Sequence, residues 1–440
     1  MSGIAYVLFK KGFRVQGSDV QESDYIKKLA LSGIKLHLSH KKENIAESKT
    51  MVYSSAVSCD NEEFLFSKQN GLAIFQRGQM LANLMEDSIG ITICGSHGKT
   101  TTSSLISFLF FRAGLEPTFI VGGNMNNFDT NAYLGSSELF IAEADESDGS
   151  FLLLSPLFEV ITNIEEEHLD YYKNFQNLKD AFLKHIHNIK KGGFLIAGGD
   201  DEAIKNILTT HKKDIKAQVI TYGLDPSNLI YASNIHTDNG KTRFDVTFKS
   251  ENLGKIKISL LGIHNVKNAL ACIAVGILNK IKWEKIVEIL PEFKGVNRRF
   301  QLKGKYNGAL VIDDYAHHPT EIKALLKMAD ELKPLRKIAI FQPHRYTRTK
   351  HLAKEFAEAL KNVDIPILIP IYEASEKPIK GVSSLLICEH LEKLGVSALH
   401  FEKKEEVVAY LKKTIKPNDI ILTVGAGDVY KIGEELVNKS

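Results

Sequence analysis

Ile89-Gly90-Ile91-Thr92-Ile93-Cys94-Gly95-Ser96-His97-Gly98-Lys99-Thr100-Thr101-Thr102 reads as an apolar strand, a glycine turn, a lysine–threonine pair and the first residues of a helix. Glycines let backbone N–H groups turn inward around an anion, and the N-terminus of the following helix adds partial positive charge. Lysine and hydroxyl then supply a phosphate cation and a Mg²⁺ ligand. Ile93 stands where the longer G-x-x-x-x-G-K-[ST] pattern has its first glycine, so the loop is a shorter G-x-x-G-K-T form. An ordinary strand-to-helix turn shares this outline, but here strand and helix lie where phosphate binding requires them.

Working outward, buried-strand runs follow at Leu139–Glu143, Val160–Asn163, Phe194–Ala197 and Val219–Gly223, after a helix expected over Thr100–Ala113. Alternating runs at Phe244–Phe248 and Ile256–Leu260 flank Asp238-Asn239-Gly240 and predict antiparallel hairpins appended to a parallel sheet. Helices are expected from Asn265 to about Lys280 and near Trp283–Leu290. The polar stretch Lys294–Arg299 then reads as a linker. Upstream, helical pattern at Ile4–Lys11 and Tyr25–Leu31 alternates with strand-like runs at Phe13–Gly17, Lys35–His37 and Met51–Ser55, a small parallel α/β unit. Downstream, Ala309–Asp313, Lys337–Phe341, Ile365–Ile369, Ala398–Phe401 and Ile420–Val424 make a third α/β series. The fold class is therefore α/β in three domains, over residues 1–87, 88–296 and 297–440.

The 440 residues are 44% hydrophobic and 25% charged, which suits two to four cored domains and excludes disorder and fibre. Lysine and arginine number 56 against 53 acids, a net charge of +3, with no concentrated basic surface for nucleic acid. No apolar run approaches the roughly 18–20 residues that span a bilayer. Cys59, Cys94, Cys272 and Cys388 stand far apart, so neither a disulfide framework nor a structural metal is indicated; they read as small core residues in a reducing cytoplasm. No secretory leader pattern opens the chain.

Two further polar clusters follow strands. Glu143-Ala-Asp145-Glu146-Ser-Asp148 is suited to a nucleotide's Mg²⁺, since ligands in open parallel sheets sit beyond the carboxyl ends of strands. A solvated acidic loop is the plainer alternative, weaker for Glu143 because it is still on an apolar strand. Thr162-Asn-Ile-Glu165-Glu-Glu-His168-Leu-Asp170 places acids and a histidine after the next strand, with a structural histidine the competing reading for His168.

GSHGKTTT, EADESDGSF, TNIEEEHLDYY, GIHNVKNALA, NRRF, DDYAHHPTEI and FQPHRYTRT occur in the order of, and closely resemble, the motifs of the Mur ligases of peptidoglycan precursor synthesis. The resemblance runs from Met1 to the last helix. It implies an N-terminal Rossmann-like domain for a UDP-sugar, a central P-loop domain with a mixed sheet for ATP, and a C-terminal Rossmann-like domain for an amino acid. The implied substrates are ATP, UDP-N-acetylmuramate and L-alanine, joined through an acyl phosphate by a cytoplasmic monomer or homodimer.

Residue by residue, the resemblance implies ATP contacts from Gly95, Ser96, His97, Gly98, Lys99, Thr100 and Thr101, with Lys99 on the β/γ-phosphates. It implies Mg²⁺ on Thr100 and Glu143, and a second Mg²⁺ on His168. Asn265 and Asn268 would lie by adenine and ribose, with His264 either stacked on the base or capping its helix. Arg299, or its neighbour Arg298, would enter the ATP site, although adjacent arginines at a linker are also ordinary surface charge; Asp314 would face the ribose. Tyr315, Arg345 and Arg348 would hold the amino acid, since two arginines three apart at a helix start can converge on one carboxylate. His317 is a candidate base or a simple hydrogen-bonding group. Asp19 and Arg77 would serve the UDP-sugar. Gly425-Ala-Gly427-Asp428 would line the same cleft.

The family begins with a strand and a glycine turn before the helix that Met1 opens here. The expectation is a start upstream of Met1, with the UDP loop encoded there. Two rivals stand beside the alanine-joining reading. One is a murein-recycling ligase that adds a tripeptide, from which the Gln342–Arg348 string departs; the other is a P-loop switch that hydrolyses nucleotide without joining anything.

Overall fold

The computed structural model describes residues 1–438 apart from 239 and 375, together with the backbone but not the side chain of residue 170. The chain divides into two compact units. The first comprises Met1–His236, Arg243–Ser259 and Asn265–Lys294; the second comprises Thr237–Thr242, Leu260–His264 and the chain from Gly295 onward.

The first unit is organised around a ten-stranded sheet in which strand Ile89–Cys94 lies between Leu139–Glu143 and Phe158–Ile161. Both neighbours run parallel to it, in a register that sets Ile93 beside Glu143 and Cys94 beside Ile161. The carboxyl ends of these three strands are thus level, and the chain order reverses across the first of them, the arrangement that opens a crevice for a ligand. The strands are mostly apolar because both faces of the sheet are covered, with Thr92 and Glu159 as buried polar exceptions. Helix Lys99–Arg112 follows directly and buries Leu105, Ile106, Phe108, Leu109 and Phe110 completely. Ser103 and Ser107 bond back along the helix, to the Thr100 carbonyl at 3.1 Å and the Ser103 carbonyl at 2.8 Å.

Three features depart from the sequence reading, and one turn agrees with it. Strands Thr118–Met125 and Thr130–Tyr133 extend the sheet on one side, with little apolar alternation to announce them. The turn at Asp238–Gly240 joins Ile230–Asp238 to Lys241–Phe248, and Asn239 lies outside the described residues. The runs Phe244–Phe248 and Ile256–Leu260, expected to flank that turn, both follow it; the turn between them lies at Lys249 and Ser250, which both take left-handed backbone (φ 49° and 68°) without a glycine to mark it. Cys59 is exposed and so is not a core residue, while Cys94 and Cys272 are buried.

At the N-terminus, Gln16–Ser18 pairs in parallel with Lys35–His37, and Thr50–Tyr53 with Ala73–Gln76, as two separate two-stranded sheets. Helix Ser2–Lys10 lies against the strands at one edge of the sheet, Thr118–Met125 and Thr130–Tyr133: Gly3 is the residue there because a Cβ would come within 3.0 Å of Ile120 and 3.2 Å of Ala132. Ile4, Leu81 and Met85 share one core with Phe140, Phe151 and Phe182.

The second unit carries a six-stranded sheet in the order Gln301–Tyr306, Ala309–Asp314, Ile420–Val424, Lys337–Phe341, Ile365–Leu368, Leu399–His400. The first pair is antiparallel and the rest are parallel. Among the described residues, no helix is long and apolar enough to cross a membrane.

Candidate active site

The phosphate loop is held open by two glycines and by the neighbouring strand's end. Gly95 (φ 120°) and Gly98 (φ 87°) occupy left-handed backbone, and a Cβ on either would come within 2.2 Å of Thr162 Oγ1 or 2.7 Å of Asn268 Oδ1. The Asn163 side chain accepts from the His97 amide and donates to the His97 carbonyl, both at 2.9 Å. Thr162 Oγ1 donates to the same carbonyl at 2.6 Å, and the Asn163 carbonyl accepts from the Ser96 amide. Thr162 and Asn163 were not singled out by the sequence reading, which looked only to the acids and the histidine beyond them. The signal available was their position at the end of the strand next to the loop.

Lys99 Nζ donates to the Gly95 and Ser96 carbonyls at 2.5 and 3.1 Å and to Glu146 Oε1 at 2.6 Å. Burial works against the ammonium, yet Glu146 and the neighbouring acids outweigh it and raise Lys99 above its usual value. Glu146 itself is 1% exposed, and burial pushes its carboxyl up to about 7 against the pull of Lys99. Lys99 therefore stays charged, and Glu146 is the member of the pair that takes up a proton as pH falls. Thr100 Oγ1 meets Glu143 Oε1 at 3.1 Å, and the Gly122 amide holds the other Glu143 oxygen at 2.8 Å. A hydroxyl and a fixed carboxylate beside a phosphate loop are the hard oxygen donors that Mg²⁺ takes. His168, in left-handed backbone (φ 56°), sets Nε2 3.8 Å from Glu146 Oε1. Asn268 accepts from Thr102 at 3.1 Å and donates to Asn265 at 3.0 Å, so its amide braces the loop helix.

Arg77, at the start of helix Arg77–Met85, reaches Asp145 Oδ2 at 2.8 Å. Burial tends to raise Asp145, but Arg77 and the Ser147 hydrogen bonds hold it below the usual carboxylate range. Asp19 follows strand Gln16–Ser18, is exposed, and caps the Gln21 amide at 3.1 Å.

In the second unit, polar side chains gather where Ala309–Asp314, Lys337–Phe341 and Ile420–Val424 end. Arg298 is engaged: it donates to Asp313 and to the Gly425 carbonyl and lies over the Tyr315 and Tyr430 rings. Arg299 stays half-exposed over Tyr315, 3.9 Å from Glu321. Asp314 accepts from the Phe300 and Ala316 amides, both at 2.7 Å, and burial pushes its carboxyl up to about 6. His317 Nδ1 lies 3.1 Å from the Tyr315 carbonyl, and burial lowers its pKa. With the proton assigned to Nδ1 by that contact, Nε2 keeps its lone pair. Burial, then His317, Arg348 and Arg345, lower His344 to about 3. Arg345 caps helix Tyr346–Leu360 in left-handed backbone (φ 72°), and Arg348 sits in its first turn with Nη1 3.4 Å from His344 Nδ1. Gly425 has left-handed backbone (φ 144°) after its strand.

A lysine-tipped phosphate loop beside oxygen donors at the switch point of a parallel sheet defines a phosphate-loop α/β enzyme. Family models match along the chain: the catalytic domain of the Mur ligase family over residues 1–88, the Mur ligase middle domain over 93–276, and the Mur ligase glutamate ligase domain over 298–427. A UDP-N-acetylmuramate–L-alanine ligase from Carboxydothermus hydrogenoformans is 42% identical, across 100% of this chain and 94% of its own. The crystal structure of a UDP-N-acetylmuramate-alanine ligase from Thermotoga maritima matches with a TM-score of 0.86 at 27% identity, across 100% of this chain and 96% of its own. A murein peptide ligase from Psychrobacter arcticus shares the fold, with a TM-score of 0.75 at 22% identity across 100% and 96%. The chain belongs to the Mur ligase family.

Proposed function

We propose that the chain joins L-alanine to the lactyl carboxylate of UDP-N-acetylmuramate, cleaving ATP to ADP and phosphate, as a cytoplasmic step of peptidoglycan precursor synthesis. What carries the reading is its full-length likeness to the alanine ligase of Carboxydothermus hydrogenoformans, at 42% identity. The three domains are assigned to residues 1–87 for the UDP-sugar, 88–296 for ATP and 297–440 for the amino acid.

A carboxylate is a poor electrophile and must be activated before an amine can displace its oxygen. A lactyl carboxylate oxygen attacks the γ-phosphorus, ADP leaves, and an acyl phosphate forms. The alanine amine then adds to the acyl carbon, and the tetrahedral adduct expels phosphate. Both steps bring anions together, so catalysis lies in positioning and charge compensation. Lys99 and the amides of Gly95–Thr101 hold the β- and γ-phosphate oxygens, which requires Lys99 Nζ to exchange Glu146 for phosphate. Thr100 and Glu143 would hold one Mg²⁺ and His168 a second; bound there, the metal offsets charge on the phosphates and the carboxylate. Asn265, Asn268, Arg299 and Asp314 are assigned to the nucleoside, and Asp19 and Arg77 to the UDP-sugar.

Arg345 and Arg348 would grip the alanine carboxylate, with Tyr315 beside it. His317 is kept neutral by burial, and its Nε2 would accept the proton the amine sheds. Phosphate release from ATP should require UDP-N-acetylmuramate together with L-alanine. Release with no amino acid present would favour a nucleotide switch, and release only with a tripeptide would favour the recycling ligase. Parallel assays with L-serine and glycine would set the amino-acid preference.

A further inference from the structure

Behind the phosphate loop, on the strand that leads into it, lies a polar cluster that the reaction does not use. Cys94 ends strand Ile89–Cys94, Glu159 lies on the adjacent strand Phe158–Ile161, and His185 comes from helix Phe175–His187. All three are completely buried. Their ligating atoms lie within 4.8 Å of one another. Cys94 and His185 lie far apart in sequence, so no ligand spacing announces the group, and it is assembled by the parallel pairing of the two strands and the packing of the helix.

We propose that Cys94, Glu159 and His185 form a buried site for a divalent, borderline-soft metal ion, Zn²⁺ by preference, which bolts the phosphate-loop strand to its neighbour and to the helix behind. Thiolate, imidazole and carboxylate together are the donor set Zn²⁺ takes. A thiolate and a carboxylate carry two negative charges in a place without water, and one divalent ion cancels them.

The orphaned atoms point the same way. His185 Nε2 comes 2.9 Å from Glu159 Oε2, yet neither ring nitrogen of His185 makes a hydrogen bond, and Glu159 Oε1 has no partner. Buried polar atoms left in that state are costly. Set this close but out of hydrogen-bond alignment, the imidazole and the carboxylate are arranged to serve as ligands of a common centre. Thr92 Oγ1 donates to Glu159 Oε2 and so orients the carboxylate.

The test uses the full-length, tag-free chain, expressed with added zinc and dialysed against EDTA to strip accessible ions. Elemental analysis should find about one Zn²⁺ per chain, released to a colorimetric chelator only on unfolding in guanidinium. X-ray absorption at the zinc edge should show a single sulfur ligand at about 2.3 Å. Cys94→Ala and His185→Ala should lose the metal and melt at lower temperature. If either variant fails to fold, the wild-type spectrum decides. A folded wild-type chain without zinc, leaving a hydrogen-bonded cluster only, would overturn the proposal, as would zinc bound by nitrogen and oxygen alone.

Discussion

The phosphate loop and the histidine–arginine face of the second unit are built on opposite plans. Nearly every group around the loop is already tied: Lys99 to two carbonyls and Glu146, Thr100 to Glu143, and the loop backbone to Thr162 and Asn163. In the second unit the imidazoles are neutral because burial lowers them, and Arg345 is exposed at a helix cap. The lesson is about where reorganisation falls. On the proposed roles, the triphosphate site is set in advance with the Glu146 carboxylate in the anion's place, and the amino-acid site keeps uncharged imidazoles beside Arg345 and Arg348.

The largest effect that would break this contrast is at Lys99. Lys99→Ala should lower kcat by roughly 10³-fold, the scale of losing a charge-stabilising group in phosphoryl transfer. A loss below tenfold in steady-state phosphate release would mean that the loop does not hold the transferred group. Next, Arg345→Ala or Arg348→Ala should raise the KM for L-alanine about 30- to 150-fold, as for a charge-assisted hydrogen bond of about 2–3 kcal/mol, with the KM for ATP unchanged. Arg345→Lys should recover only part of this, because a point charge lacks the guanidinium fork. Equal shifts in both KM values would erase the distinction between the two regions.

His317→Asn should cost about 10²-fold in kcat and remove the acid limb of the pH–rate profile. That limb lies below the ordinary histidine value because burial depresses His317. An unchanged profile would leave His317 a hydrogen-bonding residue only.

The smallest effect is on stability. Glu146 is raised from 4.5 to about 7 in the folded chain. Its stabilising contribution is therefore complete below about 4.5 and is lost as pH rises through 7. Glu146→Gln should flatten the fall in melting temperature between pH 5 and 8 by the equivalent of a few kcal/mol. Parallel melting curves for the two proteins would show that the Lys99 pair holds Glu146 ionised throughout.

Much of this was legible in the sequence where chemistry is local. Strands Ile89–Cys94, Lys337–Phe341 and Ile420–Val424 read correctly because they are short apolar runs buried on both faces. Strand Gln301–Tyr306 escaped because it is a polar edge strand paired on one side only. Lys99, Thr100 and Glu143 stand where motif and strand end coincide. The roles of Glu146, Thr162 and Asn163 needed strand order, because each acts on the loop across the sheet. The cluster under Cys94 needed it most, since Cys94 reads as one more small apolar residue until Glu159 and His185 are brought beside it.

Carboxylate activation at the phosphate loop is the central proposed step, and an isotope reads it directly. UDP-N-acetylmuramate labelled with ¹⁸O in the lactyl carboxylate, turned over with ATP and L-alanine, should deliver one ¹⁸O into each inorganic phosphate, seen as an upfield shift in the ³¹P spectrum. Phosphate released without label would mean that water, and not the carboxylate, received the γ-phosphoryl group, and would contradict the mechanism.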